Sequence, residues 1–138
     1  MSRENVEVVH AWVAAINRRD LAALLELADP ALEFRSYLAA LSGSDGAYRG
    51  HDGLERYLRD LSDAWESFQV EQDECRDLGD VVLMEGRLRA KGRSSGLKIE
   101  ERLTFLHTFR DGTGPGRYIR HQYFATLGEA LEAVGLSE

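Results

Sequence analysis

Apolar residues recur every three or four positions along three segments in the first half of the chain, which is the spacing of amphipathic helices. The first predicted helix runs from Glu4 to about Asn17. Asp20 is placed to cap a second helix, which ends near Pro30. A third and longest helix is predicted to begin at Asp52, acting as its cap. Its apolar stripe is the clearest in the chain: Leu54, Tyr57, Leu58, Leu61, Trp65 and Phe68.

The segment between the second and third predicted helices mixes two signals. "ALEFRSY" predicts a short strand. The stretch "LSGSDGAYRG", which overlaps the approach to the third helix, is polar and rich in glycine. That composition predicts a mobile loop, which could act as a lid.

The second half of the chain changes to the patterns of β-strands. Four runs, "FQVEQDECRDL", "DVVLMEGRLRAKG", "LKIEERLTFLHTF" and "RYIRHQYF", are separated by the turn signals "GD", "RSSG" and "DGTGPG". Gly114, Pro115 and Gly116 extend the last turn beyond a two-residue hairpin. "ATLGEALEAVGL" predicts a closing helix that stops at Gly135. Helices followed by antiparallel strands indicate an α+β domain, with helices packed on one face of a curved sheet.

Composition excludes several classes of protein. The 138 residues fit one domain, and such a chain buries roughly 68% of its unfolded surface without needing a metal. No apolar run is long enough for a membrane span, and no leader precedes the first helix, so a cytoplasmic location is expected. Cys75 is the only cysteine, which excludes an intrachain disulfide. The net charge of -7 argues against nucleic acid as a partner.

Cofactor and metal signals are missing from the sequence. The four histidines include no close H-x-H or H-x-x-x-H pair. "GRSSG" and "DGTGPG" lack the strand-to-helix context of phosphate-binding loops, so they are interpreted as turns. We therefore expect neither a metal nor a cofactor.

The order of five segments resembles the SnoaL-like branch of the nuclear transport factor 2-like superfamily. These are "VVHAWVAAINRRDLAALLELADPALEF", "YRGHDGLERYLRDLSDAW" and "LTFLHTFRDG" followed by "YIRHQYF" and "EALEAVGL". The resemblance covers nearly the whole chain and implies one domain over residues 1–138. It implies a cone, in which a curved mixed or antiparallel sheet wraps around three N-terminal helices and encloses an apolar pocket. A homodimer through the outer sheet face is also implied. Relatives include polyketide cyclases, ketosteroid isomerases and epoxide hydrolases, alongside non-enzymatic modules.

The catalytic residues of these relatives are replaced in this chain. Where isomerase-like members carry a phenol on the first helix, this chain has Trp12, and their base falls at Phe34 or Arg35. Their protonated acid matches Phe105 on the third strand. The aspartate of cyclase-like members matches Tyr123, whose ordinary pKa of about 10 makes it a poor base. The family chemistry is therefore not recognisable in this sequence.

The strand pattern supplies other candidates. Alternation places Glu101 and His107 on the inward face of the third strand, and Ile119, His121 and Tyr123 on the inward face of the last. His121 is the preferred acid/base group because its ordinary pKa is close to neutrality. Tyr123 and Glu101 are the other catalytic candidates. Structural interpretations stay open as well: His121 as a structural or ligand-orienting histidine, Tyr123 as a core tyrosine, and Glu101 as a partner in a salt bridge at the rim.

Two hypotheses of function remain open. In the first, the protein binds a small, largely apolar molecule and catalyses an isomerase- or lyase-type proton transfer. In the second, it is a non-enzymatic ligand-binding or dimerisation module, with Leu106 on the outer sheet face making the dimer contact. Convergence of His121, Tyr123 and Glu101 would favour the enzyme, whereas a cavity filled by aromatic side chains would favour the module. The predicted ligand-binding residues are Trp12, Phe34, Arg35, Trp65, Phe105 and His107.

Overall fold

The computed structural model describes residues 3–41, 43, 45–111 and 116–136. Within these residues the helices are α1 (Arg3–Arg18), α2 (Leu21–Leu27), α3 (Tyr37–Leu41), α4 (Gly50–Ala64) and α5 (Leu127–Ala133). The strands are β1 (Ala28–Arg35), β2 (Ala47–Arg49), β3 (Trp65–Asp77), β4 (Val81–Gly92), β5 (Lys98–Phe109) and β6 (Tyr118–Phe124). The predicted α+β class is confirmed.

All six strands form one mixed sheet in the order β2-β1-β6-β5-β4-β3. The pairing of β1 with β6 is parallel, and the other pairings are antiparallel. The second half of the chain thus supplies four consecutive antiparallel strands, as the sequence predicts. The early strand β1 then adds to the edge of β6, which brings the end of the chain's first quarter next to its last strand.

The main core lies between the helices and the inner face of the sheet. Its most buried side chains come from α1, α2, α4 and the inward positions of the strands. Trp12 on α1 is 2% exposed and packs edge-on against Tyr118 of β6, with ring centroids 4.5 Å apart. Phe34 of β1 packs in the same way against Tyr57 of α4, at 4.6 Å. These aromatic pairs join the helices to the parallel part of the sheet.

The extent of α1 and the start of α2 follow the sequence pattern, but α2 ends at Leu27, and Pro30, near which its end was predicted, lies in β1. Asp20 caps α2, since its side chain accepts a hydrogen bond from the backbone N–H of Ala23 at 3.1 Å. The predicted cap at Asp52 is wrong. Helix α4 begins two residues earlier, at Gly50, and its N-cap residue Arg49 makes no capping hydrogen bond with its side chain. Asp52 lies in the first turn of the helix, where a carboxylate still favours the positive end of the helix dipole.

The predicted third helix is too long at its C-terminal end. Helix α4 ends at Ala64, and Trp65 already has extended backbone angles and begins β3. A bulge between Trp65 and Ser67 shifts the register of β3 against β4. Because of this extra residue, Trp65 and Phe68 are both buried although they lie three positions apart. The bulge therefore imitates helical spacing in the sequence.

The outer face of the sheet is partly covered by the last helix. Helix α5 is capped by Thr126, whose hydroxyl accepts from the backbone N–H of Glu129, and its predicted stop at Gly135 is confirmed by a φ of 79°. Its residues Ala130 and Leu131 pack against Leu83 and Leu106.

This packing corrects one sequence-based prediction. Leu106 is 3% exposed beneath the chain's own helix, so it does not form an open outer-face contact for a second copy. The homodimer itself stays a prediction.

The two predicted loops are described only in part. The segment "LSGSDGAYRG" contains the last residue of α3 and the whole of β2, and its Ser42 and Ser44 lie outside the described residues. In the turn "DGTGPG", residues 112–115, including Gly114 and Pro115, also lie outside them. Among the helices that are described, none has the length and apolar character needed to cross a membrane.

Candidate functional site

A small cavity lies between α1 and the inner face of the sheet. It measures about 50 Å³, counted as space open to the centre of a water-sized molecule. At about 10–15 Å³ for each water, the cavity holds roughly three to five waters. Six of the residues on its wall were predicted from the sequence as site residues: Trp12, Phe34, Arg35, Phe105, His107 and His121. Its wall is mostly apolar, with Val13, Ile16 and Leu88 among the aliphatic contributions.

His121 stands on the cavity wall in a fixed orientation. Its Nδ1 lies 3.2 Å from the backbone carbonyl oxygen of Arg35 on the neighbouring strand β1. Because a carbonyl only accepts, the ring donates through Nδ1–H and its Nε2 keeps a free lone pair. The ring is 7% exposed and packs against Phe34 and Phe105, with centroids 4.5 Å and 5.6 Å away. The parallel pairing of β1 and β6, which places Phe34 beside His121, creates this arrangement.

Burial makes His121 neutral at physiological pH. Removal from water lowers its pKa to about 4, and the hydrogen bond to the Arg35 carbonyl opposes this shift only in part. The imidazole is therefore available to accept a proton through Nε2. A positive charge formed there would be costly unless a negative charge developed beside it.

His107 of β5 lies opposite His121 in the β5–β6 ladder. It is 1% exposed, and its Nδ1 lies 2.7 Å from the hydroxyl oxygen of Tyr118. Its other ring nitrogen, Nε2, is buried and makes no hydrogen bond with the described residues. Burial, and to a lesser extent the nearby His121, hold the pKa of His107 well below its ordinary value, so this ring is neutral too.

Tyr118 was missed because strand alternation does not point to it. Strict alternation on β6 places Ile119 inward together with His121. In the structure, a register shift between Thr108 and Phe109 of β5 leaves Ile119 as the extra residue, and Tyr118 pairs with Phe109 instead. Tyr118 is 1% exposed whereas Ile119 is half-buried, so the inward prediction for Ile119 is wrong. A bulge of this kind has no clear signature in a single sequence.

Glu101 and Tyr123 do not join His121 at the cavity. Glu101 is exposed near the open end of β5, and Tyr123 is half-buried with its ring 5.5 Å from that of Tyr37. Burial raises the pKa of Tyr37, and Glu101 and Tyr123 raise it further through their charges. These three residues thus form a polar group at the rim. His121, Tyr123 and Glu101 therefore do not converge on one point, which is the arrangement that would have favoured the enzyme.

The predicted ligand-binding residues separate into two groups. Trp12, Phe34, Arg35, Phe105 and His107 all line the cavity. Trp65 does not, because the start of β3 places its ring in the core away from the cavity wall. Among the described residues, no group of three or more histidine, cysteine, aspartate or glutamate side chains is arranged to hold a metal ion.

The arrangement supports proton transfer within an apolar space. His121 offers a base in a known orientation, and His107 offers a second nitrogen that has no partner among the described residues. Two wall residues that the sequence analysis did not select, Ser36 and Tyr57, are joined by a hydrogen bond. Burial raises the pKa of Tyr57, which keeps its hydroxyl protonated.

Several solved structures share this fold. TerC, co-crystallised with polyporic acid, is 20% identical, with a TM-score of 0.73 over 95% of this chain and 98% of that one. An NTF2-like protein from Burkholderia thailandensis E264 is 25% identical, with a TM-score of 0.72 over 93% and 95%. An LEH-like epoxide hydrolase from M. tuberculosis is 17% identical, with a TM-score of 0.70 over 91% and 81%.

The sequence itself places the chain in a family. No curated protein matches it. The family described as the SnoaL-like domain matches residues 9–113, which include the second half of α1 and all of the strands from β1 to β5. The nuclear transport factor 2-like fold predicted from the sequence is confirmed by the structural neighbours. The chain belongs to the SnoaL-like domain family.

Proposed function

We propose that this protein binds a small, largely apolar molecule in the internal cavity and transfers a proton with His121, in an isomerase- or lyase-type reaction. The observation that carries the proposal is the orientation of His121. Its Nδ1–H is used by the Arg35 carbonyl, so that Nε2 is the basic atom on an apolar wall. A general base must be oriented by a second group in this way before its pKa matters.

Burial of the base shapes the reaction that it can support. A lone imidazolium is disfavoured in this cavity, as the lowered pKa of His121 shows. A substrate that becomes negatively charged as it loses its proton would offset that penalty by forming an ion pair with the ring. This favours a proton transfer in which charge is created and then removed within the cavity.

In the resting protein the cavity has room for only a few waters or a small fragment of a ligand. A larger ligand requires movement of wall residues, to which α3 contributes Tyr37 and Leu38. TerC, which shares the fold, was crystallised with polyporic acid. That observation supports a ligand site in this kind of cone without identifying the ligand of this chain.

A second candidate function is a non-enzymatic module of the same fold. It is favoured by the aromatic filling of the interior, where Trp12, Phe34, Phe105 and Phe109 are each at most 6% exposed. In that case the small cavity is a packing defect and no reaction occurs. A second copy of the chain is the partner that we propose for either function.

A ligand screen on matched variants distinguishes the two functions. Small apolar molecules are screened by NMR against the wild type, His121→Gln and His10→Gln; His10 is an exposed histidine on α1 that bonds Gln72 and lies outside the cavity. For an enzyme, hits perturb cavity residues, and both binding and turnover are lost in His121→Gln but kept in His10→Gln. Equal behaviour of the two variants, or the absence of cavity hits, would instead support the module.

A further inference from the structure

The unpartnered Nε2 of His107 requires an explanation. The atom is buried on the wall of the cavity and meets no polar group of the described residues. A buried polar atom without a partner typically weakens a fold by about 1–3 kcal/mol, and such atoms in native proteins usually bond to water or a ligand. Because His107 lines the cavity, a molecule bound there is the partner that we infer for Nε2.

The hydrogen bond between His107 and Tyr118 decides whether the partner of Nε2 must accept or donate a hydrogen bond. In one arrangement the Tyr118 hydroxyl donates to Nδ1 of His107, and Nε2 then carries the hydrogen. In the other, Nδ1–H donates to the Tyr118 oxygen, and Nε2 carries a lone pair. The 2.7 Å separation fits both, since hydrogen positions are assigned from the bonding network.

Counting unsatisfied groups separates the two arrangements. In the first, the Nε2–H of His107 is the one group left without a partner. In the second, the Nε2 lone pair and the Tyr118 hydroxyl hydrogen are both left, because Tyr118 meets no other polar group among the described residues. Tyr118 and His107 are both about 1% exposed, so each unsatisfied group has a cost. The first arrangement is the less costly one.

We propose that Tyr118 is a positioning residue that fixes His107 as the Nε2–H tautomer, so that the cavity presents a hydrogen-bond donor beside the acceptor Nε2 of His121. The His121 half of this pattern rests on the proposed function. The matching ligand class is an apolar molecule with an acceptor oxygen, such as a carbonyl, placed to meet His107. A hydrocarbon of the same shape leaves the donor unpaired and binds more weakly.

The tautomer is measured directly, in the ligand-free protein, from the imidazole nitrogen chemical shifts in a 15N NMR spectrum. In the wild type we expect His107 to be protonated at Nε2 and His121 at Nδ1. In Tyr118→Phe the ring still packs on Trp12 and Phe109, whose centroids lie 4.5 Å and 5.3 Å away, but the hydroxyl is gone. There we expect His107 to lose its single tautomer. A wild-type His107 protonated at Nδ1, or an unchanged tautomer in Tyr118→Phe, overturns the positioning role.

Ligand selection is tested with cyclopentanone and methylenecyclopentane, which have nearly the same shape but differ in the acceptor oxygen. We expect the ketone to bind the wild type roughly tenfold more tightly and this preference to shrink in Tyr118→Phe. Equal affinities in the wild type, or no binding of either probe, overturn the selectivity. Because the tautomer measurement needs no ligand or turnover, it can succeed where the proposed function fails, and the two failures are distinguishable.

Discussion

The imidazole rings of His107 and His121 lie 5.2 Å apart, centroid to centroid, with their planes 78° from parallel. The pairing of β5 with β6 places them directly opposite each other, and both face the cavity. Each ring is tied by its Nδ1 to a different group, the Arg35 carbonyl for His121 and the Tyr118 hydroxyl for His107. Two neutral histidines are thus buried together, which makes the stability of this protein sensitive to acid.

We expect the free energy of unfolding to fall as the pH is lowered from about 6.5 towards 4. The folded-state pKa of His121 is about 4, below its ordinary value near 6.5, so the unfolded chain binds this proton more readily. The contribution of neutral His121 to the unfolding free energy is fully present above pH 6.5. It is lost progressively as the pH falls to the folded-state pKa. The full loss is about 3 kcal/mol, at 1.36 kcal/mol for each pKa unit.

Denaturant unfolding of the wild type and His121→Gln between pH 7 and 4.5 measures this contribution. The variant cannot titrate at position 121, so its stability should fall less over the same range. His107 acts with the same sign and supplies a remaining slope in the variant. Parallel pH profiles for the two proteins would show that His121 is not buried as a neutral base.

Removal of the Asp29 carboxylate should weaken the junction between β1 and β5. Asp29 accepts hydrogen bonds from the backbone N–H of Ala31 at 2.7 Å and from Nε of Arg110 at 2.9 Å. The guanidinium of Arg110, then the Ala31 bond, hold the pKa of Asp29 below its ordinary value, so its contribution is lost as acid protonates it. We expect Asp29→Ala to lower the unfolding free energy by about 1–3 kcal/mol in chemical denaturation.

The exposed pair of Arg59 and Glu55 on α4 provides the comparison for that experiment. Both of its side chains are at least 60% exposed, and the two are one helical turn apart. Arg59→Ala should change stability by no more than about 0.5 kcal/mol. An equal effect of the two substitutions would mean that Asp29 contributes no more than a surface charge.

Leu106→Asp should destabilise the monomer rather than separate a dimer. The side chain of Leu106 lies on the outer face of β5 and is buried against Leu131 of α5. A carboxylate there loses its hydration without gaining a partner. We expect the unfolding free energy to fall by about 3–5 kcal/mol and α5 to detach. Thermal unfolding measures the first effect, and hydrogen exchange measures the second. Sedimentation of wild type and variant tests the homodimer separately. A variant that is as stable as the wild type but sediments as a smaller species would contradict this expectation and would support Leu106 as a dimer contact.

Gly86→Ala should strain the pairing of β4 with the edge strand β3. A Cβ at Gly86 would lie 2.6 Å from the backbone oxygen of Glu71 on β3, next to the bulge at Gln72. Backbone atoms on both strands must shift to admit it, at a cost of about 1–3 kcal/mol. Gly79→Ala is a useful contrast because no atom approaches its Cβ position, although its positive φ adds a strain of its own. A neutral effect of Gly86→Ala on thermal unfolding would contradict the close approach.

Part of the candidate site was predictable from the sequence. Alternation along β5 correctly placed Phe105 and His107 on the inward face, and the apolar stripe of α1 correctly buried Trp12. These predictions succeeded because regular strands and helices have fixed periods. Trp65 was misjudged because the bulge beside it separates two buried residues by three positions and imitates a helix, and Tyr118 was missed because a bulge breaks the period of two on β6.

The amino-acid sequence alone determined the presence of α1, α2, α4 and α5, the four-stranded antiparallel order and the family, because these depend on periodicity and on the order of segments along the chain. The tertiary structure alone decided that β1 adds parallel to β6 and brings the Arg35 carbonyl to His121. It also decided that Glu101 stays at the rim and that Tyr118 reaches His107. The physical reason is that a side chain's partner across strands depends on register, which bulges and long-range pairing set and local sequence does not encode.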